Sequence, residues 1–234
     1  ENGEIKFIGV ADKRIKEAYE KYGSKKINVA FKKILLDSEK QSRKIISNLP
    51  NGIYKAKDCI DGDGFVEDKI PIQISIEIKG SNIIFDYTGC PAVRNAPINC
   101  SLGALTSAVK TVFKALVEPF APSNEGYFKR MKIVIPRNTV FSAEKPSPTG
   151  WYYEGVSQAA ELAWKALAPL APTRFSAGTY MSLCATYICS TNKNKQYVHI
   201  EPQHGGWGAL HNRDGANALI AITDGDTYNY SIEL

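Results

Sequence analysis

The sequence predicts an α+β fold, in which mixed, mainly antiparallel sheets with interspersed helices follow a charged two-helix segment. Isoleucines occupy every even-numbered position from 70 to 78 and alternate with mainly polar residues, which is the period of a half-buried strand. Residues 103–117 and 155–168 instead space their apolar side chains three and four apart, as amphipathic helices do. The first fifty residues hold twelve Lys/Arg against seven Asp/Glu along a helical apolar pattern.

The charged segment is predicted to form two helices between residues 11 and 48. The first runs from Ala11 to Tyr22 and stops at Gly23, and Ser24 is expected to cap the second. Leu-Pro-Asn-Gly at 49–52 then turns the chain, so a boundary near residue 50 separates a helical segment (1–50) from an α+β domain (51–234). The apolar stripe of the second helix consists of Ile27, Ala30, Phe31, Ile34, Leu35, Ile45 and Ile46.

Most of the α+β domain is predicted to be β-structure. The isoleucine strand turns at Lys-Gly-Ser-Asn and returns over residues 83–87, which makes a hairpin. The helix at 103–117 and the helix at 155–168 interrupt the strands. Further short strands are predicted at 131–135, 178–188, 196–201, 217–222 and 227–232.

Composition excludes several classes of protein. An apolar content of 44% and a charged content of 23% are those of a globular chain, and no apolar run is long enough to cross a membrane. The net charge of +5 arises entirely in the first fifty residues and is interpreted as a solvated helix face, since stacking aromatic residues for nucleic acid are lacking. The five cysteines form no CxxC pair, which excludes a zinc ribbon and favours a reducing, cytoplasmic compartment.

Two loops carry candidate catalytic residues. Asp61 and Asp63 lie in an Asp-Gly-rich turn whose spacing does not fit a calcium loop, so a tight turn is the alternative interpretation. Gly205, Gly206, Trp207 and Gly208, here called the glycine loop, match neither a dinucleotide nor a Walker A motif. His204 precedes the glycine loop and could act as a general acid or base.

The sequence predicts no metal site within this chain. His199, His204 and His211 are the only histidines, and their spacing is poor for zinc. No Gly-x-Ser-x-Gly motif supports a serine nucleophile either. The residues by themselves therefore do not name a reaction.

Several short segments occur in a defined order and spacing across residues 13–234. They are Leu49–Tyr54, Asp61–Gly64, Phe85–Cys90, Pro97–Cys100, Asn124–Gly126, Ile135–Thr139, Gln203–Ala209 and Asp214–Gly215. In this order and spacing they resemble the hydantoinase B subunits and the related oxoprolinases and alpha subunits of acetone-type carboxylases.

The resemblance implies a component of an ATP-dependent cyclic-amide hydrolase of the hydantoinase or 5-oxoprolinase type. A hydantoinase A-like partner subunit would bind ATP and Mg²⁺, and this chain would help to form the site for a small-molecule substrate. His204, Asp61 and Asp63 are the candidate catalytic residues, and Asn99 and the glycine loop are expected to bind substrate. The family's subunit is about twice as long, so the N-terminal half, where the carboxylase branch keeps its metal ligands, is expected as a further partner.

Two alternatives stay open on the sequence. The chain could serve an ATP-dependent carboxylase of ketones such as acetone or acetophenone, or it could be a non-catalytic assembly module of such a complex. The sequence also departs from the family at turns that could line a site. Gly-Trp-Tyr-Tyr stands at 150–153 where Gly-Gly-Asn is usual, and His204 stands where a glycine is usual.

Overall fold

A computed structural model describes residues 2–180, 184–191, 195, 197–203 and 205–217. The described helices and strands agree with the predicted α+β class. They are α1 (Asn2–Tyr22), α2 (Ser24–Ser47), β1 (Gly52–Ile60), β2 (Ile70–Lys79), β3 (Asn82–Asp86), α3 (Leu102–Val117), α4 (Glu125–Phe128), β4 (Met131–Val134), α5 (Tyr152–Leu167), a 3-10 turn (Ala168–Leu170), β5 (Cys184–Cys189) and β6 (Val198–Gln203).

A four-stranded sheet in the order β1-β2-β3-β4 forms the centre of the fold. β2 pairs antiparallel with β1 and β3, and β4 joins β3 in parallel. The even-numbered isoleucines of β2 are at most 2% exposed, which confirms the period of two. β1 was not among the strands predicted from periodicity, because its sequence alternates less regularly.

Helix α5 packs against β1 and β2 of the sheet, and α3 packs against α5. Ser101 caps α3 by accepting a hydrogen bond from the Ala104 N–H. The hydroxyl of Tyr87, directly after β3, donates to the carbonyl oxygen of Ala159 in α5 over 2.8 Å. This buried bond ties the sheet to α5, the helix that carries the candidate site described below.

The amino-terminal helices differ in part from the prediction. α1 begins at Asn2, well before residue 11, and Gly23 separates the helices with a φ of 80°. The expected capping by Ser24 is wrong, since Ser24 is the first residue of α2 and the cap position is Gly23, without a side-chain hydrogen bond. Only the end of the apolar stripe enters the core: Ile46 is fully buried, whereas Ile34 is 52% exposed.

α2 is fixed to the body of the protein by a buried carboxylate. Glu39, 7% exposed, pairs with Lys129 at 2.8 Å and also with Arg130 and Arg43. The hydrogen bond from Lys129 is the main reason that the pKa of Glu39 lies below its usual value. The helices also approach closely, because a Cβ atom on Gly126 would lie 2.1 Å from a backbone oxygen of α2.

The predicted strands in the second half of the chain have different outcomes. The strand at 131–135 is β4, and those at 178–188 and 196–201 correspond to the antiparallel pair β5–β6. Residue 217 lies in a turn, and the remainder of the strands predicted at 217–222 and 227–232 falls outside the described residues. No helix in the described part of the chain has the length and apolar character needed to cross a membrane. The boundary predicted near residue 50 stays a prediction.

Candidate functional site

Backbone hydrogen bonds fix the glycine loop against two other segments of the chain. The N–H of Gly208 donates to the carbonyl oxygen of Gly178 over 2.7 Å, and the N–H of Tyr180 donates to that of Gly206 over 3.1 Å. On the other side, the N–H of Trp207 donates to the carbonyl oxygen of Ala216 over 2.9 Å. The loop is therefore held between residues 178–180 and the segment that follows it.

The glycines of this region are required by close backbone packing. A Cβ atom on Gly206 would lie 2.8 Å from the carbonyl oxygen of Ala216, and one on Gly208 would lie 2.9 Å from the carbonyl carbon of Ala177. On Gly215 it would lie only 1.7 Å from the carbonyl oxygen of Trp207. These glycines leave room for neighbouring backbone segments of the same chain, so the number of glycines does not by itself indicate a ligand site.

The ring of Trp207 packs edge to face on Trp164 of α5. The ring centroids are 6.0 Å apart at an interplanar angle of 83°, and the ring centroid of Phe175 lies 4.5 Å from that of Trp164. The indole N–H of Trp164 donates to the carbonyl oxygen of Ser176 over 3.0 Å. The aromatic pair thus joins the glycine loop to the helix beneath it.

Two cavities meet at Trp164 and Ser176, which line both of them. We call the first the carboxylate cavity; its volume is about 350 Å³. The second, here the arginine cavity, has a volume of about 360 Å³. The carboxylate cavity is lined by Asp58, Glu161, Trp164, Lys165, Ala168 and Ser176–Thr179. The arginine cavity is lined by Trp164, Arg174, Ser176, Trp207, Leu210, Arg213, Asp214 and Ala216.

Glu161 is the buried acid of the carboxylate cavity. Glu161 is only 8% exposed, and its Oε1 accepts a hydrogen bond from the hydroxyl of Thr179 over 2.5 Å. Burial raises the pKa of Glu161, and the charge of Asp58 contributes in the same direction. No salt bridge to Glu161 forms among the residues that the structure describes.

The second carboxylate of this cavity, Asp58, has a pKa that is shifted in the opposite direction. Lys165 pairs with Asp58 at 2.8 Å, and this hydrogen bond is the main reason that the pKa of Asp58 is lowered. The cavity therefore combines an ionised, paired Asp58 with a Glu161 whose charged form is disfavoured. Two carboxyl groups with divergent pKa values in one cleft are suited to proton transfer.

The predicted catalytic carboxylates lie at a different place. Asp63 Oδ1 accepts hydrogen bonds from the N–H groups of Phe65 and Val66, and Oδ2 accepts one from Arg94 over 3.0 Å. The two backbone bonds are the main reason that the pKa of Asp63 is lowered. Asp63 lines a third cavity of about 390 Å³, whereas Asp61 is exposed. None of the three cavities is lined by both Asp63 and the glycine loop.

Asn99 is fully buried within the turn that precedes α3. Its amide nitrogen lies 2.8–2.9 Å from the carbonyl oxygens of Arg94, Ala96 and Pro148, and its Oδ1 accepts from the N–H of Arg94. These backbone contacts give Asn99 a structural role. Its predicted contact with substrate stays a prediction.

His204 lies outside the described residues, so its predicted role in acid–base chemistry also stays a prediction. His199 is in β6, opposite Ile188, and His211 is exposed in the turn between Leu210 and Arg213. Within the described ranges, no three His, Cys, Asp or Glu side chains are grouped so that they could hold a metal ion.

Sequence reasoning missed the acid and the cations of these cavities. Glu161 had a usable signal, because it is an acidic residue between the apolar pairs Ala159–Ala160 and Leu162–Ala163 of a predicted helix. Arg174 and Arg213 had none, since isolated arginines in loops are ordinary surface residues.

The fold and its paired cavities define an α+β protein with a cleft of the size that small molecules occupy. The chain belongs to the Hydantoinase B/oxoprolinase family, whose profile matches residues 2–234. This confirms the resemblance carried by the sequence motifs. The family consists of hydantoinase- and oxoprolinase-type enzymes.

Two relatives match most of the chain. A protein of Pseudomonas sp. (strain NS671), designated as the B component of a D-/L-hydantoinase, is 28% identical over 96% of this chain and 39% of its own length. An uncharacterized protein of Methanocaldococcus jannaschii is 28% identical over 88% of this chain and 35% of its own length. The chain thus spans well under half the length of these relatives.

Two solved structures share the fold. The ATP-dependent caprolactamase of Pseudomonas jessenii matches with a TM-score of 0.77 and 19% identity, over 90% of this chain and 37% of that one. Nucleotide-free acetone carboxylase, which carries out ATP-dependent acetone carboxylation, matches with a TM-score of 0.76 and 14% identity, over 94% of this chain and 32% of that one. At these identities the likeness establishes the fold.

Proposed function

We propose that this chain is a component of an ATP-dependent cyclic-amide hydrolase of the hydantoinase or 5-oxoprolinase type. The observation that carries the proposal is the family match over residues 2–234. A hydantoinase A-like partner subunit would bind ATP and Mg²⁺, which is supported by the ATP dependence of both enzymes that share the fold. The remainder of the longer polypeptide found in the relatives would complete the assembly.

The cleft between the glycine loop and α5 is the place where we propose that the cyclic amide binds. It offers the apolar rings of Trp164 and Trp207 beside the polar groups of two cavities. Cyclic amides resist direct hydrolysis, and phosphorylation of the amide oxygen with ATP would make the carbonyl carbon open to attack by water. This chain would orient the activated ring and exclude bulk water from it.

Glu161 is the described side chain best placed to move a proton in this scheme. Its raised pKa lets the carboxyl group hold a proton closer to neutral pH than an exposed glutamate does, and the Thr179 hydroxyl fixes one of its oxygens. It would accept a proton from the attacking water or deliver one to the ring nitrogen. His204 remains a proposed catalytic residue of this cleft, and the glycine loop remains its proposed substrate contact. Catalysis by Asp61 and Asp63 with substrate contact by Asn99 is the alternative proposal, in which the ring would bind at the third cavity, lined by Asp63.

ATP-dependent carboxylation of a ketone is the second candidate. It is favoured by the fold shared with acetone carboxylase over 94% of the chain. The same activation by phosphate would act on an enolate oxygen, and bicarbonate would supply the carboxyl group.

The experiment is reconstitution of the full-length protein with its ATP-binding partner. Phosphate release and product formation are measured with hydantoin, 5-oxoproline, caprolactam and acetone, each with and without bicarbonate. A ring-opened product that requires ATP and does not require bicarbonate supports the hydrolase. A carboxylated ketone that requires bicarbonate supports the second candidate and contradicts the first.

A matched pair of variants separates catalysis from assembly. Glu161→Gln should lower turnover by about tenfold or more, about 1.4 kcal/mol of barrier, while the exposed-loop change Glu67→Gln should not. If turnover survives Glu161→Gln and every substitution in the glycine loop, the chain is an assembly module.

A further inference from the structure

Two arginines line the arginine cavity without forming a salt bridge to any described carboxylate. Arg174 is anchored by Nη1, which donates to the carbonyl oxygens of Leu116 and Val117 over 2.6 and 3.1 Å. No other hydrogen bond of its guanidinium is found within the described part of the chain. Arg174 therefore keeps donors that can serve a ligand.

Arg213 faces the same cavity from the turn that follows the glycine loop. The turn is closed by a hydrogen bond from the N–H of Leu210 to the carbonyl oxygen of Arg213 over 3.0 Å. Gly215, two residues further on, packs closely against the carbonyl oxygen of Trp207, and this contact fixes the position of the turn. The backbone beside Arg213 is therefore fixed by the same packing that positions Trp207.

The wall of the cavity has an apolar side and a cationic side. Trp164, Trp207 and Leu210 supply the apolar surface, and the cavity is lined by two arginines and one acidic residue, Asp214. A guanidinium group is the side chain that binds a carboxylate or a phosphate through paired hydrogen bonds. The cavity thus suits a small ring that bears an anionic group.

We propose that the arginine cavity binds the carboxylate of a cyclic amide, with Arg174 and Arg213 on the carboxylate and the tryptophan rings against the amide ring. This rests on the proposed function and narrows its substrate class to lactams that carry a carboxyl group. A monoanion is favoured over a phosphate group because Asp214 lines the same cavity and repels a dianion more strongly.

Binding is measured directly, on the purified protein without ATP or the partner subunit. Tryptophan emission is titrated with 5-oxoproline, a lactam with a carboxylate, and with 2-pyrrolidinone, the same ring without one. We expect saturable binding of 5-oxoproline and affinity lower by about tenfold or more for 2-pyrrolidinone. Arg213→Gln should weaken 5-oxoproline binding by a similar factor, and Arg14→Gln, the same change on the surface of α1, should not.

Arg213 is the position to vary, because Arg174 also ties two backbone carbonyls and its loss could disturb the fold. Circular dichroism checks that Arg213→Gln stays folded. Equal affinity for the two lactams, no saturable binding of 5-oxoproline, or tighter Arg213-dependent binding of inorganic phosphate would each overturn the proposal. The titration needs no turnover, so the two proposals can fail separately. ATP-dependent hydrolysis of neutral lactams by a protein that does not bind 5-oxoproline would refute this inference alone. Binding of 5-oxoproline by a reconstituted enzyme that hydrolyses no cyclic amide would refute the proposed function alone.

Discussion

Replacement of Gly215 by alanine adds only a methyl group and tests whether close backbone packing holds the glycine loop in place. The added Cβ atom would lie 1.7 Å from the carbonyl oxygen of Trp207, so the two backbone segments must separate by roughly 1 Å or more to restore van der Waals contact. Overpacking of this kind costs about 1–3 kcal/mol. Loss of the 2.9 Å hydrogen bond from Trp207 to Ala216, which joins the same segments, adds about 1 kcal/mol.

The sum, about 2–4 kcal/mol, is smaller than the roughly 5–15 kcal/mol that stabilises a typical domain. The variant should therefore fold, with a melting temperature lower by about 4–16 °C. Circular dichroism measures the shift, and tryptophan emission should move to longer wavelength as Trp207 loosens from Trp164. The matched control is Gly103→Ala in α3, where the nearest atom would be 3.7 Å away. If the two variants melt within about 1 °C of each other, the close-packing explanation of the glycines is wrong.

Three further predictions concern the sheet, the turn before α3 and the carboxylate cavity. Ile74→Asp should lower stability by about 4 kcal/mol or more because a carboxylate replaces a buried isoleucine, while Ser75→Asp on the opposite face should be mild; equal melting shifts would contradict the strand register. Asn99→Ala should cost about 3–5 kcal/mol in chemical denaturation, since several backbone groups lose their buried partner; a fully stable variant with weaker substrate binding would instead support the predicted contact with substrate. Burial raises the pKa of Glu161 in the folded state, so the folded chain binds this proton more tightly than the unfolded chain, and stability should fall as pH rises from the ordinary carboxyl pKa through the raised one. Glu161→Gln should lose that part of the decline in melting temperature, and an unchanged pH profile would refute the assignment.

Local sequence pattern was sufficient to predict β2, β3, β4, α3 and α5, although it missed β1. The isoleucine alternation of β2 fixes which face is buried, because a shift by one residue would expose every isoleucine. The apolar stripe of α2 shows the limit of such patterns, since its residues Phe31 and Ile34 are about half exposed. Periodicity describes one helix face and contains no information on what covers it.

The candidate site could be predicted only in part, because most of its contacts join distant segments. The glycine loop was noticed from its composition, but its packing against Ala177 and Ala216 depends on tertiary structure. The bond from Thr179 to Glu161 and the contact of Trp207 with Trp164 are likewise invisible in a linear pattern. Asp63 shows the converse, since a conspicuous Asp-Gly motif proved to hold a turn and to pair with an arginine.

Hydrogen exchange of the reconstituted enzyme, with and without a cyclic amide, tests most directly whether substrate binds between the glycine loop and α5. The amide protons of residues 174–180 and 205–217 should exchange more slowly when the substrate is present, because a ligand in this cleft stabilises both segments that form it. The third cavity, lined by Asp63, Arg94 and their neighbours, is an internal comparison and should be unaffected. Slower exchange confined to residues 63–66 and 93–95, with none at the glycine loop, would contradict the proposed site.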